Sequence, residues 1–410
     1  MITANQPTAC RSCGYTELQN VLSLGRTPLA NALLKEEQLA QPEENYPLDL
    51  VFCARCSLMQ LTETASPEKL FRDYVYLSSF SDTMLRHAEA LSTALIGSNN
   101  LDATSLVVEV ASNDGYLLQN YKRAGVPVLG IEPAANIAQV AEQHGIRTVC
   151  DFFSDDLAVR LVGEGYEADV IHAHNVLAHV PDPNGFVRGL RQLLKPDGVI
   201  VVEVPYVKDM IDRCEFDTVY HEHLSYFSLT ALNALFTRND LTIQKVERLS
   251  IHGGALRVYA GHENSQAESV TQLLSDEKDW GAGEIDFYNG FGARVDRCRN
   301  ELVSLLRDLK SQDKRIAVYG ASAKGTTLLN YCGLGRETLD YVVDRSSVKQ
   351  GLYTPGTHLK IHAPEKLLDD LPDYVLLLTW NFADEILEQQ QEYRRRGGRF
   401  IVPIPEVKVV

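Results

Sequence analysis

The chain has 410 residues, 45% of them hydrophobic and 23% charged, a composition typical of globular proteins with two or three domains. Its formal net charge of −16 argues against a nucleic-acid partner, because most of the surface would repel phosphates. No apolar run reaches the roughly 20 residues that span a bilayer, and the first residues are neither basic nor apolar. We therefore expect a cytoplasmic protein without a membrane partner, in which thiols stay reduced.

Two pairs of cysteines with the spacing C-x-x-C lie near the N-terminus. They are Cys10 with Cys13 and Cys53 with Cys56. Two such pairs hold tetrahedral zinc in structural sites, whereas a catalytic zinc keeps one coordination position open. Four thiolates would fill the tetrahedron, so we predict a structural zinc in a small N-terminal module, residues 1–72. We expect the four other cysteines to be small core residues.

From about residue 105, short apolar segments alternate with helical ones. This alternation predicts a parallel sheet covered by helices on both faces, the doubly wound α/β class, for residues 73–263. The predicted strands are 106–110, 128–132, 147–151, 169–173, 198–203, 241–247 and 255–260.

A polar segment with helical periodicity, residues 264–313, is predicted to connect this sheet to a second α/β unit. The second unit, residues 314–410, repeats the theme of strand, glycine-bearing loop, helix and strand ending in an acid. It is predicted to be a Rossmann-like domain. Its predicted strands are 315–319, 339–344, 373–380 and 399–403.

The loop after the first strand of the central sheet has the pattern of a cofactor site. Glu109 ends the strand region, Asn113, Asp114 and Gly115 form the turn, and Glu132 ends the second strand. An acid at that place accepts the two ribose hydroxyls of a nucleoside. The loop lacks G-x-G-x-x-G, and its carboxylates disfavour a pyrophosphate but suit an ammonium group. We therefore predict S-adenosylmethionine, with an ordinary turn as the alternative.

Three further residues follow later strands of this sheet. Asp151 and Phe152 follow the third strand and are candidates for contacts with the adenine. Asn175 follows the fourth strand, where the ligand crevice of an open α/β sheet opens. The nearby His179 is a further candidate, whereas His172 and His174 are interpreted as structural.

The densest cluster of reactive side chains is Tyr220-His221-Glu222-His223. The sequence His-Glu-His is not His-Glu-x-x-His, so the two imidazoles do not share a helix face and a zinc protease is disfavoured. A neutral imidazole is a suitable general base near neutral pH. An acid–base site is the favoured interpretation, and a loop that is merely hydrogen-bonded is the alternative.

The glycine-bearing loop of the second unit, Gly320–Gly325, resembles a phosphate-binding loop only superficially, because Lys324 precedes the final glycine. A lysine at a helix N-terminus can still bind a diphosphate. Trp380 and Asn381 follow another strand, where an aromatic ring can stack on a base. The alternative is a structural loop between domains.

Together these motifs resemble those of the bacterial sugar C-methyltransferases that act on nucleotide-linked 4-keto deoxysugars. The resemblance covers nearly the whole chain, and the order of the motifs makes it specific. Besides both cysteine pairs, the shared motifs are Gly25-Arg-Thr-Pro-Leu29, Gln60-Leu-Thr62, Tyr74-Val-Tyr-Leu-Ser-Ser79, Ser112-Asn-Asp-Gly115, Gly130-Ile-Glu-Pro133, Asp151-Phe-Phe153, Tyr220-x-Glu-His223, His252-Gly-Gly254, Tyr319-Gly-Ala-x-Ala-Lys324 and Thr354-Pro-Gly-x-His358.

The resemblance implies a zinc-binding module, a class I methyltransferase domain and a C-terminal Rossmann-like domain, with the sugar nucleotide between the last two. It makes His223 the general base, with Tyr220 and Glu222 as partners. Tyr74 and His179 then line the active site.

Within the same shared motifs, Tyr76 and Pro133 are assigned to the cofactor and His252 to the substrate. His221 departs from the family, which can carry an acid there.

The implied reaction removes the hydrogen next to the 4-keto group, and the resulting enolate carbon takes the methyl group. The methylated carbon is C3 or C5. An O- or N-methyltransferase on a sugar nucleotide, and a non-catalytic nucleotide-sugar binding protein, remain as alternatives.

Overall fold

The computed structural model of the chain describes residues 9–71 and 77–410. Tyr74 and Tyr76, which the sequence assigns to the catalytic and cofactor sites, lie outside the described residues. Within those two ranges the strands form three sheets. None of the helices in this part of the chain has the length and apolar character that crossing a membrane requires.

The first sheet joins the N-terminal module to the middle of the chain. In spatial order its antiparallel strands are β1 (Gln19–Thr27), β2 (Tyr46–Phe52), β3 (Met59–Leu61) and β9 (Ser225–Tyr226). Met59 pairs with Tyr226 and Gln60 with Ser225, immediately after the Tyr220–His223 cluster. The sequence did not predict β9, because two residues carry no detectable periodicity.

The second sheet is central and has seven strands. In chain order they are β4 (Val107–Val110), β5 (Val128–Ile131), β6 (Thr148–Val149), β7 (Ala168–His174), β8 (Leu194–Pro205), β10 (Thr242–Leu249) and β11 (Ala255–Gly261). Their spatial order is β10-β11-β8-β7-β4-β5-β6, and β4 to β8 are parallel. The predicted doubly wound sheet is confirmed, with strand ends that meet at one edge.

One edge of the central sheet is antiparallel. β10 and β11 form an antiparallel hairpin that pairs with β8 through β11. A connection of a few residues cannot return the chain for parallel pairing, so the hairpin is the physical consequence of a short turn. In that turn Gly253 and Gly254 have φ of 96° and 131°, and a Cβ on either glycine would lie within 2.6 Å of a carboxylate oxygen of Glu215 or Asp209.

The third sheet belongs to the C-terminal unit and confirms the predicted Rossmann-like fold. In chain order its strands are β12 (Ile316–Tyr319), β13 (Val342–Val343), β14 (Ile361–His362), β15 (Tyr374–Leu377), β16 (Arg399–Val402) and β17 (Lys408–Val409). Their spatial order is β14-β13-β12-β15-β16-β17, and only the pairing of β16 with β17 is antiparallel.

Helices connect the strands, and several begin at side chains that cap the first turn. Ser81, Ser154, Ser228 and Ser322 each accept a hydrogen bond from a backbone N–H three residues later. The α-helices are Pro67–Phe71, Asp82–Ser98, Leu118–Arg123, Ala135–Gln143, Asp155–Gly163, Pro183–Leu193, Val207–Asp212, Leu229–Arg238, Glu268–Asp279, Ile285–Tyr288, Phe291–Ser311, Ala323–Cys332, Lys366–Asp370, Ala383–Gln389 and Gln391–Arg395. The short 3₁₀ helices are Glu36–Gln38, Ser78–Phe80, Leu177–His179, Phe216–Thr218, Ile251–Gly253 and Trp380–Phe382.

The N-terminal module shares its hydrophobic core with both other units. Cys53 and Leu58 pack in one cluster with strands of the central sheet. Leu50 and Phe52 belong to another cluster, which extends to the C-terminal sheet. The expectation that all four remaining cysteines lie in the core is wrong for Cys150, which is exposed after β6, where the strand leaves the sheet.

Candidate active site

The four cysteines of the N-terminal module form a compact cluster. Their Sγ atoms all lie within 4.8 Å of one another, with Cys10 3.5 Å from Cys56 and Cys13 3.5 Å from Cys53. A tetrahedron with zinc–sulfur bonds of about 2.3 Å needs sulfur separations of about 3.8 Å, so the cluster fits zinc. The four thiols would complete the metal's coordination, as a structural site requires.

The loop after β4 leaves buried polar atoms without partners. Glu109, Ser112 and Asp114 each have a buried side-chain oxygen that accepts or donates no hydrogen bond within residues 9–71 and 77–410. Burial raises the pKa of Glu109 well above its usual value, with contributions from Asp114 and Glu132. Groups that are costly to leave unpaired indicate a polar ligand, and carboxylates suit the ammonium and sulfonium of S-adenosylmethionine.

The backbone of this loop makes the sharp turn that a bound cofactor requires. Ala111, Asn113 and Gly115 all have positive φ. A Cβ on Gly115 would lie 2.9 Å from the Ile146 side chain, so glycine is needed there. The carboxylate of Glu132 accepts hydrogen bonds from the backbone N–H groups of Asn113 and Ala134, both at 2.9 Å, which fixes its orientation.

The 3₁₀ helix Ser78–Phe80 packs against the same loop. The Ser78 N–H donates to Asn113 Oδ1 at 2.9 Å, and the Ser79 N–H donates to Asp114 Oδ2 at 3.3 Å. Sequence reasoning did not assign Ser78 or Ser79 to the site. The only signal was their place at the end of the motif that begins at Tyr74.

The predicted adenine contacts lie at the outer end of the site. Asp151 is exposed, accepts from the Phe152 N–H at 2.9 Å and pairs with Arg160 at 3.3 Å. Pro133 and Phe152 are half-buried nearby, at the ends of β5 and β6. Their position beyond Glu132 is compatible with the predicted role, which stays a prediction.

A buried polar network lies beneath the end of β7. His172 Nε2 is 2.8 Å from the Tyr121 hydroxyl, and His172 Nδ1 is 2.8 Å from His174 Nε2. His174 Nδ1 is 3.1 Å from a Glu203 oxygen. These bonds agree with the structural interpretation of the two histidines. The adjacent Asn175 has φ of 53° and donates its N–H to the Glu203 carbonyl at 2.8 Å.

Glu203 is the hub of this network and was missed by sequence reasoning. Its carboxylate is 2.6 Å from Arg257 Nε, and both oxygens are 3.0 Å from His87 Nε2. Burial alone would raise its pKa, but His174, His87 and Arg257 together hold that pKa well below the usual value. Because His87 lies in the helix that follows Ser78 and Ser79, Glu203 fastens this helix to β7 and β11.

The Tyr220–His223 cluster forms a tight turn in which tyrosine and histidine meet. The Tyr220 hydroxyl is 2.7 Å from His223 Nε2, and His223 Nδ1 is 3.0 Å from the Thr218 carbonyl. Nδ1–H donates to that carbonyl, and in the neutral ring Nε2 therefore carries the lone pair. The Tyr220 hydroxyl then donates to Nε2, and the pair has the arrangement of a general base with a hydroxyl partner.

His179 and Glu222 complete this cluster. The rings of His179 and His223 are edge to face with centroids 4.8 Å apart, and His179 Nδ1 donates to the Glu222 carbonyl at 2.8 Å. Burial lowers the pKa of His179 to about 4, so this imidazole is neutral at physiological pH. The structure thus brings together the described members of the predicted catalytic set.

The two side chains between Tyr220 and His223 form hydrogen bonds with the N-terminal module. His221 Nε2 donates to the Pro47 carbonyl at 3.1 Å. Glu222 is 2% exposed and accepts a hydrogen bond from Asn31 Nδ2 at 2.6 Å. Burial raises the pKa of Glu222 to about 7, against the opposing effects of Asn31 and Lys349.

The predicted substrate residues lie at the junction of the central and C-terminal units. Lys324 Nζ lies 4.6 Å from the centroid of the Trp380 ring, and Trp380 Nε1 donates to Asp217 at 2.7 Å. Asn381 follows in the same 3₁₀ helix and is half-buried. Trp380 is therefore held at the interface, with Lys324 over one face of its ring. The His252 side chain lies outside what the structure describes.

Two buried acids, which the sequence did not single out, face this junction. Burial raises the pKa of Glu215 to about 8 and also raises that of Asp217, and the charge of Lys324 opposes both shifts. The acids explain how a lysine is held at this place when no phosphate neutralises it.

Comparisons with known proteins match the three parts of the chain. Family models described as "Putative zinc binding domain", "Methyltransferase domain" and "C-methyltransferase C-terminal domain" match residues 10–71, 84–246 and 250–405. The chain is similar to C-methyltransferase NovU of Streptomyces niveus, with 37% identity over 98% of this chain and 96% of that protein.

Two other similarities are partial. A ubiquinone biosynthesis O-methyltransferase of Pasteurella multocida is 32% identical over 23% of this chain and 43% of its own length. The crystal structure of magnesium protoporphyrin IX methyltransferase from Synechocystis PCC 6803 is 14% identical, with a TM-score of 0.34 over 44% of this chain and 79% of that one.

Removing zinc is expected to destabilise the protein as a whole, because Cys53 shares a core with the central sheet. We expect one zinc per chain by elemental analysis, and a lower melting temperature after treatment with a strong chelator or in Cys53→Ser. Cys150→Ser, which removes an exposed thiol outside the cluster, is the control. It should keep the zinc content and the melting temperature of the parent. Equal melting temperatures with and without zinc would contradict a structural role.

The raised pKa of Glu222 predicts a dependence of stability on pH. The folded protein keeps a proton up to about pH 7 that the unfolded chain loses near pH 4.5, so the free energy of unfolding falls between these values. Glu222→Gln should not show this fall. Its free energy of unfolding should therefore rise relative to that of the parent by up to about 3 kcal/mol between pH 4.5 and pH 7. Denaturant unfolding across this range measures the difference.

Glu89→Gln changes an exposed acid of the helix Asp82–Ser98 and is the matched control. Its difference from the parent in the free energy of unfolding should not change with pH. A difference between Glu222→Gln and the parent that does not change with pH would contradict the assigned protonation.

Proposed function

We propose that this chain, which belongs to the C-methyltransferase family, methylates a carbon next to the 4-keto group of a nucleotide-linked deoxysugar, with S-adenosylmethionine as methyl donor. Membership in the family rests on the full-length relative and on the matched family models. The observation that supports this particular reaction is the 2.7 Å contact between the Tyr220 hydroxyl and His223 Nε2. We place the reaction in the cytoplasm, where the four zinc thiols stay reduced.

His223 is the base in this proposal. Its Nδ1–H is held by the Thr218 carbonyl, so the lone pair of Nε2 is fixed in direction. A hydrogen next to a ketone is acidic because the carbanion is delocalised onto the oxygen as an enolate. Nε2 takes that hydrogen as a proton and becomes an imidazolium, while the electron pair of the C–H bond moves to the enolate.

Tyr220 and His179 assist this step. The Tyr220 hydroxyl donates to Nε2 in the resting site, and once Nε2 is protonated the hydroxyl hydrogen is proposed to turn to the enolate oxygen. One such donor is typically worth a few kcal/mol in the transition state. His179 stays neutral, so it adds no positive charge that would weaken the base. Tyr74 keeps its proposed place beside the site.

The cofactor is proposed to lie between the loop after β4 and the ends of β5 and β7. S-adenosylmethionine supplies an electrophilic methyl group on a sulfonium. Glu109 and Asp114 bind its cationic end, Glu132 accepts the ribose hydroxyls, and Asn175 closes the side toward the substrate. Holding both ligands in one orientation removes much of the entropic barrier to methyl transfer. The remaining proposed contacts are Tyr76, Asn113, Gly115, Pro133, Asp151 and Phe152.

The nucleotide end of the substrate is proposed to bind at the junction near Lys324, Trp380, Asn381 and His252. A diphosphate would neutralise Lys324 in place of the buried acids, and the Trp380 ring is proposed to stack on the base or sugar. We keep residues 1–72, 73–263, 264–313 and 314–410 as the proposed domain boundaries. Either C3 or C5 is the methylated carbon.

Exchange of hydrogen in D₂O tests the proposed base. Incubation with a 4-keto nucleotide sugar should introduce deuterium next to the ketone, because His223 removes that hydrogen reversibly. His223→Asn should lose the exchange and lower kcat by about 10²–10⁴-fold. Mass spectrometry and NMR of the recovered sugar measure exchange and locate the methyl group. A panel of dTDP- and GDP-linked 4-keto sugars identifies the preferred substrate.

His221→Asn is the matched control, because it removes the neighbouring imidazole, which bonds the Pro47 carbonyl and not Tyr220. It should retain exchange. Methyl transfer to oxygen or nitrogen, or transfer to carbon without any loss of the neighbouring hydrogen, would show the enolate proposal to be wrong. Binding of the sugar nucleotide without any transfer would leave only the non-catalytic alternative.

A further inference from the structure

The segment between the two cysteine pairs reaches well beyond the zinc cluster. Leu34 and Tyr353 exchange two backbone hydrogen bonds, at 2.9 and 2.8 Å. The Glu43 carboxylate accepts the Gly356 N–H at 3.0 Å and lies 2.7 Å from His358 Nε2. The segment is thus fixed to the C-terminal unit at two places, one on each side of its middle.

Asn31 lies between the first cysteine pair and these anchors, and its side chain enters the catalytic cluster. Its Nδ2 donates to Glu222 Oε1 at 2.6 Å. Glu222 Oε2 is buried and has no hydrogen-bond partner within the two described ranges. The amide therefore occupies one carboxylate oxygen and leaves the other oxygen unpaired.

The polar groups around Glu222 come from all three units. Lys349 of the C-terminal unit is 7% exposed, donates from Nζ to the Ala321 carbonyl at 2.8 Å, and favours the ionised form of Glu222. His179 donates to the Glu222 carbonyl, and His221 and His223 adjoin Glu222 on the same turn. Burial raises the pKa of Glu222, whereas the hydrogen bond from Asn31 and the charge of Lys349 lower it. The balance places the change of charge close to neutral pH.

We propose that Asn31 is a positioning residue through which the N-terminal module orients Glu222, so that Oε2 is presented to a polar group of the sugar. The inference rests on the proposed function for the identity of the substrate, but not for the effect of Asn31 on Glu222. It gives the zinc-bearing module a role in the active site: the knuckles and β1 hold the segment, and the segment holds the carboxylate.

Asn31→Ala removes a donor that stabilises the ionised carboxylate, so the pKa of Glu222 should rise. The pH–rate profile of the parent should have an acid limb that is absent in Glu222→Gln. In Asn31→Ala this limb should move up by about one pH unit. The ratio kcat/KM for the sugar nucleotide should fall by about 10-fold or more, while KM for S-adenosylmethionine stays within about 2-fold. A merely structural contact would lower stability without this displacement of the pH profile.

A measurement without substrate makes the test independent of the proposed reaction. Infrared difference spectra between acid and neutral pH report the protonated carboxyl band, and subtraction of Glu222→Gln assigns it. Its titration midpoint should rise in Asn31→Ala and rise further in Asn31→Asp, which keeps the shape but replaces the donor with a second acid. The Asp variant serves if the Ala variant does not fold.

Gln41→Ala, an exposed change in the same segment, is the matched control and should behave as the parent. If the parent transfers no methyl group to any 4-keto sugar nucleotide, the proposed function fails while the infrared titration still decides the role of Asn31. An unchanged midpoint together with an unchanged kcat/KM in the Asn31 variants would overturn the inference.

Discussion

The pairing of β3 with β9 is the constraint on which the candidate active site depends. Ser225 and Tyr226 come two and three residues after His223, and their pairing with Gln60 and Met59 fixes one end of the Tyr220–His223 turn. The other end is held by the 3₁₀ helix Phe216–Thr218, whose last carbonyl orients His223. A site on a loop is usually mobile. Here the turn is fixed at one end by β9 and at the other by the 3₁₀ helix, so His223 is held in one orientation.

Burial has opposite effects on the acids and the imidazoles of this site, and both effects serve the chemistry. It keeps His179 neutral and raises the pKa of Glu222 and Glu215 into the physiological range. In the loop after β4, one buried oxygen of Glu109 and one of Asp114 have no hydrogen-bond partner within the described residues. Leaving such groups unpaired costs free energy, which a cationic ligand at this loop would recover.

Much of what depends on local pattern was predicted from the sequence. The cysteine spacing and the strand–helix alternation are local signals, and the zinc cluster, the central sheet and the C-terminal sheet follow from them. The antiparallel sheet of the N-terminal module, β14 and β17 were not predicted. Contacts between distant segments were not predictable. The residues around Ser225 do not indicate pairing with Gln60, and those around Asn31 do not indicate a contact with Glu222. Glu203 has the sequence pattern of an ordinary strand residue, and only the structure shows its contacts with His87 and Arg257. Such contacts depend on tertiary packing, which no single-sequence periodicity encodes.

The network around Glu203 is coupled from end to end. Glu203 is ionised and can only accept, so the hydrogen on His174 Nδ1 points at it. His172 is neutral and carries one ring hydrogen, so it donates to one of its two neighbours, His174 Nε2 or the Tyr121 hydroxyl, and accepts from the other. The bonds on the two sides of His172 must therefore point the same way along the row. A rearrangement of hydrogens beside Glu203 would thus be relayed through two rings as far as the Tyr121 hydroxyl.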